Sequence, residues 1–198
     1  MAEVVPAVLP ARARDVPVLA LTLADAFDGD PVWDWMIPPR ARRGRLARVF
    51  GRILAYAVPR GRVFTTADRS AVAIWSPPGS WKLPLPAVVR SAPTMALAAG
   101  TRLPRLLGRL GQIDRVHAAQ PPDHWYLEFI GTASSARGRG VGAALMADAL
   151  ARFDLPIYLE SSNPRNLPFY RRHGFEVADE LTFRSGPPQW TLWRHPPA

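Results

Sequence analysis

The sequence predicts an α/β fold, and three observations carry that reading. An apolar run of strand character, Trp125–Thr132, leads through a glycine-rich loop into a run of helical spacing, Ala143–Phe153. A second apolar stripe at helical spacing, Leu46, Val49, Phe50, Ile53 and Leu54, lies opposite a row of arginines. Two short runs, Arg62–Thr66 and Ala71–Trp75, flank the turn-forming Ala67-Asp68-Arg69-Ser70 and predict a hairpin. With 198 residues, 48% of them hydrophobic, the chain is sized for a single domain with a substantial core.

Ala7–Ala11 reads as a first strand. Asp15 is placed to cap a helix that tolerates Pro17 in its first turn and shows Val16, Leu19, Leu23 and Phe27 on one face. Asp28-Gly29-Asp30-Pro31 breaks that pattern. A second helix is predicted over about Arg42–Val58, then the hairpin, which Pro77-Pro78-Gly79-Ser80 ends. Residues Pro84–Gln120 read as helical from Leu103, Leu106, Leu107, Leu110 and Ile113, with Pro104 in a first turn. Pro121-Pro122 closes this stretch, and the strand from His124 to Thr132 follows it. Beyond the loop and its helix come a strand at Ile157–Ser161 and a short helix from Leu167 to Arg172. A final β pair, Phe175–Phe183 and Gln189–Arg194, closes the order.

Composition excludes several classes. With no Cys there is no disulfide, no thiolate nucleophile and no Cys-based metal site. The amino terminus lacks the basic start and apolar core of a signal peptide. No charge-free run approaches the roughly 18 apolar residues of a membrane span, so a cytoplasmic protein with no membrane partner is expected. The net charge of +9 invites a nucleic-acid reading. Of the 25 basic residues, however, only Lys82 is lysine, and 22 prolines accompany them, the pattern of a GC-rich coding bias. Arg40, Arg42, Arg43, Arg45, Arg48 and Arg52 form the solvated face of a helix, and no nucleic-acid partner is expected.

The loop Arg137-Gly138-Arg139-Gly140-Val141-Gly142 carries the chemistry. Its alternating glycines let the backbone turn tightly, and the helix that follows aims free N–H groups at an anion such as a pyrophosphate. A Walker A loop is excluded because no lysine is present. A dinucleotide loop is matched locally by Gly138, Gly140 and Ala143, with Glu160 at the distance of the ribose carboxylate. That reading fails on architecture, since Ser161–Ala198 is too short for the β-α repeats that should follow.

The third reading is coenzyme A. The loop resembles the Arg/Gln-x-x-Gly-x-Gly/Ala motif of the GNAT acyltransferases, with Arg137, Gly140 and Gly142 in its fixed positions. The run Tyr158-Leu-Glu-Ser-Ser-Asn-Pro-Arg-Asn-Leu-Pro-Phe-Tyr-Arg-Arg-His-Gly-Phe175 is similar to the strand–helix–strand ending of that family. Tyr158 through Tyr170 and Gly186-Pro-Pro-Gln-Trp190 are most similar to the puromycin N-acetyltransferase branch. The resemblance implies a mixed, mostly antiparallel central sheet flanked by helices. It places the acceptor side mainly in residues 1–122 and the acetyl-CoA side mainly in 123–198.

What it implies for the site follows residue by residue. Arg137, Gly138, Arg139, Gly140, Val141, Gly142 and Ala143 would hold the pyrophosphate of acetyl-CoA. Ile130, Gly131 and Thr132 would pair with its amide-bearing arm, aided by Asn163 and Asn166. Thr132 stands where the family commonly has Val, and Ser134 where it commonly has Pro. Tyr170 matches the tyrosine that protonates the leaving thiolate. The base is open between Glu128, expected to share a pleat face with Tyr126 and Ile130, and Glu160. His124 and His173 are further bases on chemical grounds. The fold resemblance implies an acceptor pocket in the amino-terminal half, where Trp33, Trp35, Met36, Trp75 and Trp81 supply aromatic and apolar surface and Asp30 and Asp34 could attract a cationic amine. The expected partner is a small-molecule amine, and the chain is expected to be a monomer or homodimer, with no metal. An acyl-CoA sensor and a protein-amine acetyltransferase are the alternatives.

Overall fold

The computed structural model describes residues 7–196. After β1 (Val8–Pro10), α1 (Val16–Ala26), α2 (Pro31–Met36) and α3 (Arg42–Ala57) comes the hairpin of β2 (Val63–Thr66) and β3 (Ala71–Ser76). Then follow α4 (Leu85–Ala99), α5 (Leu103–Ala118), β4 (Trp125–Thr132), α6 (Val141–Arg152) and β5 (Ile157–Ser161). The chain closes with α7 (Leu167–Arg172), β6 (Glu176–Leu181) and β7 (Gln189–Arg194).

The strands form one seven-stranded sheet in the order β1-β2-β3-β4-β5-β7-β6. Every neighbouring pair is antiparallel except β4 and β5. That parallel pair is joined only at Trp125↔Ile157 and Tyr126↔Tyr158. Beyond it the two strands part, β4 staying with β3 and β5 with β7, and a gap opens in mid-sheet.

Period-two alternation on β3 sets the layers. Val72 and Ile74 pack under α1 and α3 with Leu19, Leu23, Leu46, Val49, Phe50 and Leu54. Ala71, Ala73 and Trp75 face the other way, onto Val141, Leu145, Met146 and Ala149 of α6. Each buried Val, Leu, Ile, Phe or Met among them contributes about 1.5–3 kcal/mol.

Local departures from the sequence reading have identifiable causes. Asp15 makes no N-terminal bond for α1; its carboxylate accepts from the Arg12 N–H at 2.8 Å and from Arg69 at 3.1 Å. Asp30 does what Asp15 was expected to do, accepting from the Val32 and Trp33 N–H groups at 3.0 and 3.1 Å to start α2, a helix the sequence pattern did not reveal. The helical stretch before β4 is two helices, broken at Gly100 with φ +54°. Among the described residues no helix is long and apolar enough to cross a membrane.

Candidate active site

The gap between β4 and β5 is the floor of a cleft of about 870 Å³. On one rim, Gly138 and Gly140 take φ of +76° and +72°, a region that glycine enters without strain. This bend presents the first turn of α6, where the N–H groups of Val141, Gly142 and Ala143 have no acceptor within the helix. Gly142 has a second reason to lack a side chain: a Cβ there would stand 3.1 Å from Thr132 Oγ1. Arg137 lines this rim and donates to the Ala26 carbonyl at 3.2 Å, and Arg165 and Arg172 line the cleft as well. Free N–H groups, a helix dipole and guanidinium groups make this rim a cradle for a polyanion. Arg139, also expected here, is exposed and does not line the cleft.

β4 carries a bulge opposite Ile74 and Trp75, whose partners are Phe129 and Leu127, so Glu128 is the extra residue. The bulge resets the alternation. Phe129 joins the layer of α1 and α3, and Ile130 joins that of α6. The expectation that Glu128 shares a pleat face with Ile130 therefore fails, although both line the cleft. Gly131 is pressed against α1, where a Cβ would meet Ala26 Cβ at 2.8 Å. With β5 turned away, the outer edge of β4 from Leu127 onward has main-chain groups open to the cleft.

Tyr170, Glu128 and Glu160 all line the cleft. Burial, with the Asp30 carboxylate nearby, raises the Tyr170 phenol well above its ordinary value. Glu128 is raised by burial, against the pull of the Ser76 hydroxyl donating to it and of Arg62. Glu160 is pushed up to about 7, chiefly by burial, while the Tyr126 hydroxyl donates to it at 2.7 Å. Asn166 lines the cleft too; its side chain makes no cap bond for α7, and Asn163 instead caps the preceding turn through the Arg165 N–H.

The expected acceptor residues divide. Trp33 and Met36 line the cleft, and so does Asp30, whose oxygens are already held by α2 and the Ser162 hydroxyl. Asp34 is paired with Arg42 at 2.9 Å, and Trp35 lies under Arg105 and Arg109, so neither borders the cleft. Trp75 is placed wrongly by the sequence reading: it is 1% exposed, in the α6 layer, edge-on to Phe153. Trp81 stacks on His117 instead. His173 faces the Phe169 carbonyl and does not line the cleft.

Sequence reasoning missed much of the wall. Phe27, Phe129, Ile113 and Leu110 contribute apolar surface. Arg109 lines it as well, its guanidinium over Phe183 at 3.8 Å and donating to Gln189 Oε1 at 2.8 Å and the Pro187 carbonyl at 2.9 Å. Burial pulls its pKa down to about 10, so it stays charged at neutral pH. It joins α5 to the loop between β6 and β7. On a helix with Arg105 and Arg115, nothing in the sequence marks it out as the buried one.

Residues 97–175 match the model of the Acetyltransferase (GNAT) family. An N-acetyltransferase of Schizosaccharomyces pombe is 28% identical over 83% of this chain and 72% of its own length. A Corynebacterium glutamicum crystal structure, of the class histone acetyltransferase HPA2 and related acetyltransferase, is 28% identical. It superposes with a TM-score of 0.71 over 98% of this chain and 97% of that one. The polyamine N-acetyltransferase of Drosophila melanogaster shares the fold with a TM-score of 0.64 at 16% identity, over 96% of this chain and 99% of that one.

Proposed function

We propose that this chain, whose residues 97–175 match the Acetyltransferase (GNAT) family model, is an enzyme of that kind and moves the acetyl group of acetyl-CoA onto the primary amine of a small molecule by direct transfer. One observation carries the reading. A single cleft gathers the glycine cradle of α6, the exposed edge of β4, the Tyr170 phenol and the two carboxylates Glu128 and Glu160. Acetyltransferases of this family take acetyl-CoA as cosubstrate, which supplies an activated acetyl thioester. The cradle N–H groups and Arg137 fit its diphosphate, and the edge of β4 from Ile130 to Thr132 offers main-chain groups to its amide arm.

The chain's own groups divide the remaining work. Backbone N–H groups of β4 polarise the carbonyl to be attacked. Tyr170 donates a proton to the departing sulfur. A buried carboxylate takes the proton of the amine. The complete absence of Cys removes a thiol acyl-enzyme and favours direct attack. Phe27, Trp33 and Phe129 give the acceptor end an aromatic wall, which supports an amine carried on an apolar or aromatic body. The likeness of Tyr158–Tyr170 to the puromycin enzymes supports the same class.

The test is thiol release from acetyl-CoA across a panel of aromatic amines, polyamines, puromycin and a basic peptide. Release with small aromatic amines is the expected result. Release with the peptide alone would replace the reading by protein acetylation, and binding of acetyl-CoA with no release for any amine would replace it by a sensor. A separate variant probes the cradle. Gly142→Val sets a branched side chain against Thr132, and the Kd for acetyl-CoA should rise about tenfold or more, equivalent to at least about 1.4 kcal/mol. Calorimetric titration measures it, and an unchanged Kd would place the diphosphate elsewhere.

A further inference from the structure

Behind the cleft, Glu160 opens onto a buried polar cluster. Its Oε2 accepts from the Tyr126 hydroxyl at 2.7 Å. Its Oε1 has no hydrogen-bond partner and lies 3.9 Å from Nδ1 of His117. His117 is 2% exposed, its ring stacked on Trp81 at 4.0 Å and edge-on to Tyr126 at 4.3 Å. His117 Nε2 lies 3.0 Å from Nε2 of His124, and His124 Nδ1 faces the Pro121 carbonyl.

Hydrogen positions along this row follow from counting donors and acceptors. The Pro121 carbonyl can only accept, so His124 Nδ1 carries a hydrogen. A neutral His124 then presents a bare Nε2, and His117 Nε2 must donate to it. A neutral His117 therefore turns a bare Nδ1 toward Glu160 Oε1. With Glu160 ionised, two lone pairs face each other out of water, and Tyr158 is the hydroxyl placed to relieve the carboxylate side. One proton on Oε1 removes that repulsion and turns a donor toward Nδ1.

We propose that His117, held in one tautomer by His124, is the positioning residue that makes Glu160 the base of the reaction, the amine's proton ending on the Glu160 carboxylate beside His117 Nδ1. This rests on the acetyl-transfer reading of the cleft. In the step, an N–H bond of the acceptor ammonium breaks, its electron pair stays on nitrogen, and the proton bonds to the Glu160 carboxylate. That proton returns to solvent after turnover. Glu128 is served differently: the Ser76 hydroxyl already donates to it, and Arg62 donates to Ser76 at 3.1 Å.

The charged and titrating surroundings come from several elements. Tyr126 and Glu128 approach from β4, Tyr158 from β5, Lys82 from the segment before α4, and Asp123 from beside His124. Burial dominates, pushing Glu160 up to about 7 and His117 down to about 3. The proton thus resides on Glu160, whose Oε1 faces Nδ1 at 3.9 Å. The proton-free form accepts from the amine, so kcat/KM should fall as pH drops through about 7.

Removing His117's lone pair takes away a contribution that, beside the dominant burial, favours the protonated carboxyl. The acidic limb of the kcat/KM profile should move down by about one pH unit in both His117→Phe and His117→Gln. The first keeps an aromatic ring under Trp81, and the second puts an N–H donor near the carboxylate. A uniform loss of rate with the limb unmoved in both variants would overturn the proposal and leave His117 a packing residue. The Tyr158 hydroxyl makes no close hydrogen bond, yet it lies near enough to the Glu160 carboxylate to lower its pKa, and it is the rival donor. A limb that moves in Tyr158→Phe and stays in the His117 variants would overturn the proposal too. A second readout needs no turnover. Infrared spectra of the coenzyme-free protein should show a protonated carboxyl titrating near pH 7, lost in Glu160→Gln and shifted down in His117→Phe. That band would persist if no amine were acetylated, and its absence from the wild-type protein would sink the pairing of Glu160 with His117 alone.

Discussion

Tyr170→Phe should lower kcat by about 10²–10⁴-fold while acetyl-CoA binding persists. The substitution removes one oxygen from a ring that is otherwise well held. Tyr170 is 7% exposed and packs edge-on to Phe169 and Phe175, with centroids 5.4 and 5.9 Å away, so phenylalanine keeps these contacts. Burial and the neighbouring Asp30 carboxylate keep the phenol protonated across any practical assay pH. Such a group is a poor acid in the resting protein. It becomes an effective donor only as charge grows on a thiolate whose conjugate acid, by analogy with Cys, has a pKa of about 8.5. The cost should therefore appear in kcat, with the Kd for acetyl-CoA moving little. Stopped-flow thiol release and calorimetric binding separate the two. Unchanged turnover would remove Tyr170 from the chemistry.

The parts of this site that were legible in the sequence are those made from contiguous residues. Alternating glycines, a strand before them and an apolar helix after them define the cradle wherever they occur, because a positive φ and a free helix end are local properties. Tyr170 was legible through its motif. What was hidden depends on pairing. The parting of β4 from β5 lies in which partner each strand keeps, and the bulge at Glu128 lies in the register between β3 and β4. His117 and Glu160 meet across 43 positions, and a histidine in the last turn of a helix already has an ordinary electrostatic explanation. Trp75 was misplaced for a reason that parity could have caught. Val72 and Ile74 face the layer of α1 and α3, so a residue one position further along the strand must face α6.

Phe50→Ala should destabilise the protein by about 3–5 kcal/mol, near the top of the range for truncating a buried aromatic ring. Phe50 is fully buried on α3, and three rings lean on it: Phe27 and Trp33 at 5.2 Å each and Phe129 at 5.4 Å. These same three rings line the cleft. Removing the ring leaves a cavity walled by aromatics from the end of α1, from α2 and from β4, which cannot collapse without moving the acceptor wall. Urea unfolding should register the loss as a lower midpoint with an unchanged slope. The functional consequence should be one-sided. The cradle belongs to α6, whose core lies across the sheet, so the Kd for acetyl-CoA should hold while KM for the acceptor rises. Phe50→Leu, which fills part of the cavity, should fall between the two proteins in both measurements. A loss below about 1 kcal/mol would mean that the three rings close over the gap. An acceptor KM unchanged in a protein destabilised by the full amount would show that the aromatic wall takes no part in holding the amine.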